Sequence, residues 1–196
     1  MPYVRIGAFL AGLRKQNGIA ARALEFLVLT ATRTGETLGA TWDEVDIGAK
    51  LWTIPASRMK AGKEHRVPLS NATLAVLQQM HDIWHSDYVF PGGREGRPLS
   101  EMSLLMLLRR MGHGDITAHG FRSTFRDWAA ERTAFAREVA EMALAHAIPD
   151  AVEAAYRRGD LFEKRQKLMA AWTAYCAKAE TDAGKVVALT RARTSR

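Results

Sequence analysis

Three observations predict a mainly α-helical chain with one small antiparallel β-sheet, an α+β fold. Apolar residues recur at helical spacing over most of the length, while residues 51–69 switch to two short strand-like runs. Gly112, Gly114, Gly120, Pro149 and Gly159 punctuate the second half at the joints between helical stretches. The length of 196 residues, at roughly 150 residues per domain, predicts one domain with an appendage. The expected division is a domain over residues 1–180 and a basic tail over residues 181–196.

Taken in order, Val4, Phe9, Leu10 and Leu13 predict a helix over Pro2 to about Leu13, ended by Gln16-Asn17-Gly18. Ala20 to about Thr32 is apolar on most sides, as a helix through the middle of a domain should be. Thr34 to Leu38 reads as a turn into a short helix, and Trp42 to Asp46 leads towards extended chain. Leu51 to Ile54 and His65 to Leu69 read as partner strands joined by a basic arm, Arg58 to Lys63, that should project outward. Ser70 and Asn71 can cap a helix running to about Trp84. Tyr88-Val89-Phe90 suggests a short strand, and Pro91 to Pro98 is a loop dense in chain breakers. Helices are then expected at Ser100 to Met111, Phe121 to Glu131, Ala134 to His146, Asp150 to Tyr156 and Leu161 to Ala179.

Composition narrows the class of function. Hydrophobic residues make up 47% and charged residues 25%, which excludes a chain disordered throughout. The longest apolar stretches fall well short of the ~18 residues of a membrane span, and no signal peptide is recognisable. The single cysteine, Cys176, can close no internal disulfide, so a reducing cytoplasmic compartment is the default. A formal net charge of +7 favours an anionic partner. Part of the excess sits in the tail at Lys185, Arg191, Arg193 and Arg196, but much of it lies inside the body.

Among the body's cations, Arg33 emerges from a core helix three residues before Glu36, and such an arginine needs a carboxylate or an anionic ligand. A structural ion pair and a functional site are equally compatible with that spacing. In His119-Gly120-Phe121-Arg122-Ser123-Thr124-Phe125-Arg126, a helix turning about 100° per residue puts His119, Arg122 and Arg126 on one flank and Phe121, Phe125 and Trp128 on another. An ordinary amphipathic surface helix would look the same. Tyr175, in step with Leu168 and Trp172, reads as a packing residue, whereas Tyr156 precedes Arg157 and Arg158 and suits an apolar site poorly.

These fragments, in this order, resemble the catalytic domain of tyrosine recombinases, the phage integrase family, and especially the integrases of prophages and genomic islands. The first-arginine motif is Thr30-Ala31-Thr32-Arg33-Thr34-Gly35-Glu36-Thr37-Leu38, and the lysine hairpin runs from Ile54 through Lys60 to Ser70. His119-Gly120-Phe121-Arg122, Leu144-Ala145-His146 and Ala154-Ala155-Tyr156-Arg157-Arg158 complete the set. Two departures stand out: Ala31 and Ala145 occupy positions where many members have glycine, which bears on local backbone geometry.

The resemblance implies that Tyr156 attacks a DNA phosphodiester, forming a 3′-phosphotyrosyl link and freeing a 5′-hydroxyl, with no metal ion and no cofactor. It implies His119 as the base for the phenol, Arg33 and Arg122 as cationic forks on the phosphate, and His146 as a further hydrogen-bond donor. Lys60 would protonate the leaving oxygen, and Glu36 would orient Arg33. Arg58, Lys63, Arg126 and Arg157 are expected DNA contacts. The expected role is integration or excision of a mobile element at double-stranded attachment sites. A homotetramer on DNA, a monomer when free, accessory DNA-bending or directionality proteins and a nucleoid-associated location belong to the same expectation. Upstream DNA-binding domains are expected to be missing from the fragment. Type IB topoisomerase-like relaxation and a catalytically silent DNA-binding regulator are the alternatives. The last helix could contact a neighbouring subunit or simply pack within the chain.

Overall fold

The protein is described by a computed structural model over residues 1–83, 86–146 and 159–178. Among these residues there are eight α-helices: α1 Ile6–Arg14, α2 Ile19–Thr30, α3 Thr34–Leu38, α4 Asn71–His81, α5 Glu101–Arg110, α6 Gly120–Arg132, α7 Arg137–Ala143 and α8 Phe162–Ala177. Three strands, β1 Val45–Asp46, β2 Leu51–Ile54 and β3 His65–Pro68, form one antiparallel sheet in the order β1-β2-β3. The expected α+β class is observed.

Helix α2 is the axis of the core. Nine of its twelve residues are buried, because α1, α3, α4, α5 and α8 all pack around it. A helix covered on several sides must be apolar on several sides, which is the pattern that its sequence carries. Its one buried carboxylate, Glu25, is paired with Arg14 at 2.6 Å and Arg22 at 3.2 Å.

In the sheet, Ile54 pairs with His65 and Trp52 with Val67. The inward residues of β2 are Trp52 and Ile54, and the alternation along the strand is that of a sheet with one face on the core. Ser70 caps α4 by accepting the Thr73 N–H at 3.2 Å.

Helix α8 lies across α1, α2, α7 and β3. Trp172 is fully buried against Phe125 and Trp128, and its indole N–H donates to the Val28 carbonyl at 2.8 Å. Leu168, Met169 and Cys176 are buried on the same helix. Of the two roles open to this segment, its apolar face is spent on packing within the chain. Burial pushes the Cys176 thiol far above its usual range, which suits an inert core residue.

Candidate active site

The site begins at the end of α2. Thr30 closes the helix, and Ala31 adopts a left-handed conformation at φ 54° and ψ 26°. That reversal lets Arg33 start α3 as its N-cap. Glu36, one turn into α3, accepts the Arg33 backbone N–H at 2.8 Å and an Nη1 hydrogen at 2.6 Å. The carboxylate therefore serves the helix end and the guanidinium together. Glu36 is buried, so this ion pair is not a solvated surface contact.

Arg122 comes from the first turn of α6 and is only 4% exposed. Its Nη1 donates to the Ala31 carbonyl at 2.5 Å, and its Nη2 to the Leu144 carbonyl at 2.5 Å. Nη2 also lies 3.2 Å from His146 Nε2. Burial, and then the nearby Arg33 charge, push the Arg122 guanidinium down to about 10, which leaves it cationic at neutral pH.

His146 is fixed from its other side by Glu141, 2.5 Å from Nδ1. An arginine can only donate, so the geometry assigns Nε2 as the acceptor and Nδ1 as the nitrogen that carries hydrogen towards Glu141. Arg33 Nη2 reaches the Ala145 carbonyl at 3.3 Å, tying α3 to the end of α7. Ala145 is left-handed too, at φ 49°. Both alanines that stand in place of glycine thus occupy the backbone region that favours glycine, and each turns its carbonyl to an arginine.

Arg33, Glu36, Arg122 and His146 are brought into one network. The structure joins neither the His119 nor the Lys60 side chain to it by a described hydrogen bond: His119 is exposed at the start of α6, where its carbonyl accepts the Arg122 N–H at 3.1 Å, and Lys60 is exposed on the β2–β3 arm. Tyr156 and Arg157 lie outside the described residues. Lys63 and Arg126 are exposed, Arg126 beside Asp127 at 3.7 Å.

Two expectations need correction. Arg58 does not project as a free cation. Its Nη1 grips the Glu44 carboxylate and its Nη2 donates to the Glu36 carbonyl at 2.5 Å, so its charge is spent on bracing α3. A Cβ on Gly39 would stand 2.8 Å from Arg58 Nη2 and 3.1 Å from the Gly35 carbonyl, so only glycine admits that approach. The basic flank of α6 is not solvated throughout either: Arg122, in the first turn, turns into the core, whereas Arg126, one turn further along the same flank, faces water.

Two contributors escaped the sequence reading. Glu141 precedes His146 by five residues, a spacing that becomes a contact only after α7 ends and the chain reverses. His65, on β3, is buried with its imidazole hydrogen-bonded to the Ala143 backbone. Its inward alternation with Val67 was the available signal.

Residues 6–160 match the model of the phage integrase family. The chain belongs to the phage integrase family. It is 37% identical over 163 residues to prophage integrase IntA of Escherichia coli K12, covering 82% of this chain and 39% of that protein. It is 31% identical over 195 residues to the integrase of Enterobacteria phage P4, covering 89% of this chain and 44% of that protein. The chain therefore spans about two-fifths of the length of these curated relatives. A solved structure of the XerH site-specific recombinase, bound to its difH substrate before cleavage, shares the fold at a TM-score of 0.59 and 16% identity. That alignment covers 83% of this chain and 52% of XerH.

Proposed function

We propose that this family member cleaves and rejoins DNA strands as the catalytic part of a site-specific recombinase acting for a mobile element. The observation that carries the reading is the convergence of Arg33, Glu36, Arg122 and His146, from three separate parts of the chain, on one partly buried network. Among described partners, Arg33 uses two of its five N–H groups and Arg122 three, so both retain donors for a phosphate. The family to which IntA and the phage P4 integrase also belong supports the recombinase over topoisomerase-like relaxation and over a silent regulator.

In this reading the Tyr156 oxygen forms a bond to phosphorus as the bond to the 5′-oxygen breaks. A phenol with a pKa near 10 is a weak nucleophile at neutral pH, and His119 takes its proton. The two guanidiniums meet the charge that gathers on the non-bridging oxygens, a role that fixed dipoles and charges fill without reorganisation. His146 donates to the phosphate once Nε2 carries a proton and Arg122 Nη2 has turned from it to the phosphate, Glu36 holds Arg33 in register, and Lys60 delivers a proton to the leaving 5′-oxygen. The ester is conserved in the intermediate, so resealing needs neither an energy source nor a metal.

The proposal extends to a catalytic domain over residues 1–180 with a basic tail beyond it. Its substrate is double-stranded DNA at specific attachment sites, engaged by four subunits that are monomeric when free. Accessory bending proteins and a cytoplasmic, nucleoid-associated setting complete it. Among the described residues no helix is long and apolar enough to cross a membrane.

The test is covalent capture on a nicked duplex built from the DNA repeat that flanks the gene. The unaltered chain should yield a protein–DNA adduct, and Tyr156→Phe should yield none while binding the same duplex within about twofold. An adduct formed by Tyr156→Phe removes Tyr156 as the nucleophile.

A further inference from the structure

Arg165 is the most deeply buried cation among the described residues, 1% exposed in the second turn of α8. Its guanidinium is spent on the chain just ahead of that helix and on the sheet. Nε donates to the Asp160 carbonyl at 2.7 Å, Nη2 to Asp160 Oδ2 at 2.6 Å, and Nη1 to the Arg66 carbonyl on β3. Asp160 is held from further sides as well: its Oδ1 accepts the Phe162 N–H at 3.1 Å, and Arg66 Nη1 lies 3.4 Å from Oδ2. The Arg66 guanidinium also lies over the Phe162 ring at 4.2 Å. Burying an arginine is costly, and an apolar side chain of similar volume would fill the space with less penalty. What the arginine adds is a fixed position for Asp160 relative to β3.

That position matters because of chain reach. Asp160 follows Tyr156 by four residues, which span at most about 14 Å, whereas His146 precedes Tyr156 by ten residues and constrains it far less. The strand gripped by Arg165 is the one that leads out of the arm bearing Lys60. We propose that Arg165 and Asp160 are positioning residues that anchor the nucleophile's segment to the strand behind the general acid, so that attack and departure share one frame. The inference rests on Tyr156 being the nucleophile. The step it serves is balanced: the phenolic oxygen bonds to phosphorus, its proton passes to a base, and the 5′-oxygen leaves with a proton from an acid.

The experiment uses the chain with the nicked duplex described above. It reads four quantities: the single-turnover rate of adduct formation at saturating DNA, the Kd for the duplex, the Tm, and the rate of tryptic cleavage after Arg157 and Arg158. Arg165→Ala should slow adduct formation at least tenfold with Kd held within twofold, and should quicken cleavage at those two arginines relative to other sites. Arg165→Lys should recover part of the rate, since it restores a charge for Asp160 without the grip on β3. Asp160→Asn acts at a side chain 40% exposed, so it decides the matter if Arg165→Ala does not fold, and it should move the rate in the same direction. An unchanged adduct rate in Asp160→Asn and Arg165→Lys overturns the proposal, as does a rate loss matched by an equal loss of DNA affinity. No adduct from the unaltered chain would sink the reading of Tyr156 itself. The tryptic rates then decide the anchor alone, and unchanged cleavage after Arg157 and Arg158 overturns it.

Discussion

His65 carries a pH dependence that can be worked out from its surroundings. Burial, and then the Arg165 charge, disfavour the imidazolium, and Arg122 adds to the repulsion, while Glu36 and the Ala143 carbonyl pull the other way. The balance lowers its pKa from 6.5 to about 4. The unfolded chain therefore takes up a proton near pH 6.5 that the folded chain refuses until about pH 4. Stability attributable to the neutral imidazole is complete above pH 6.5 and is lost as the pH falls through that window, by up to about 3 kcal/mol. Urea midpoints measured from pH 7 to pH 4.5 should fall more steeply for the unaltered chain than for His65→Gln, and parallel slopes would refute the assignment. The same residue shows what a sequence leaves hidden. Arg33, Glu36, Arg122 and His146 were legible because their motifs survive as short local strings in order. His65 and Glu141 were not, since their roles arise from contacts made only after β3 and α7 have packed.

Helix ends explain most of the differences between expected and observed elements. The sequence predicts a helix over Ala134 to His146, yet α7 stops at Ala143, where the chain closes with the Ala145 N–H on the Met142 carbonyl at 3.1 Å and the His146 N–H on the Glu141 carbonyl at 3.0 Å. This pair of bonds is the Schellman motif, which places one left-handed residue after the helix. Helix α5 ends by the same bonds, from Gly112 to Arg109 and from His113 to Leu108, with Gly112 at φ 78°. The two caps differ in that α7 uses alanine, and only a glycine announces such a stop in sequence. Tyr88 to Phe90 likewise makes no named strand. Tyr88 forms a single bridge with Thr41, because the surrounding chain bonds to Ala40 and Trp42 in a loop rather than a ladder. Relief of the left-handed strain at Ala145, reduced by glycine's greater freedom when unfolded, predicts that Ala145→Gly gains about 0.5–1 kcal/mol. For a chain of this size that is a rise of about 1–4 °C in Tm. A fall in Tm on calorimetry would show that the alanine methyl, not the backbone, dominates the site.

At the scale of the whole molecule, the described charges divide into those paired within the fold and those open to solvent. Glu25, Glu36 and Glu44 face arginines, Asp160 faces Arg165 and Arg66, and Glu141 faces His146. These five carboxylates, of the 21 acidic residues in the chain, are thereby committed to partners within the fold. Lys60, Lys63 and Arg126, by contrast, are exposed. Phosphate neutralisation releases counterions, so if these three cations each meet one phosphate, the slope of log K against log salt is about −3. Raising salt from about 50 to 200 mM should then weaken duplex binding by about fortyfold. The variants separate free cations from committed ones. Lys63→Ala should make the slope shallower by about one, whereas Arg58→Ala should leave it unchanged while lowering the Tm, because its guanidinium is bound to Glu44 and to the end of α3. Fluorescence anisotropy with a labelled duplex across that salt range reads both slopes. A shallower slope in Arg58→Ala would mean that DNA draws Arg58 away from Glu44 on binding, and the division between bracing and DNA-contacting cations would fail at that residue.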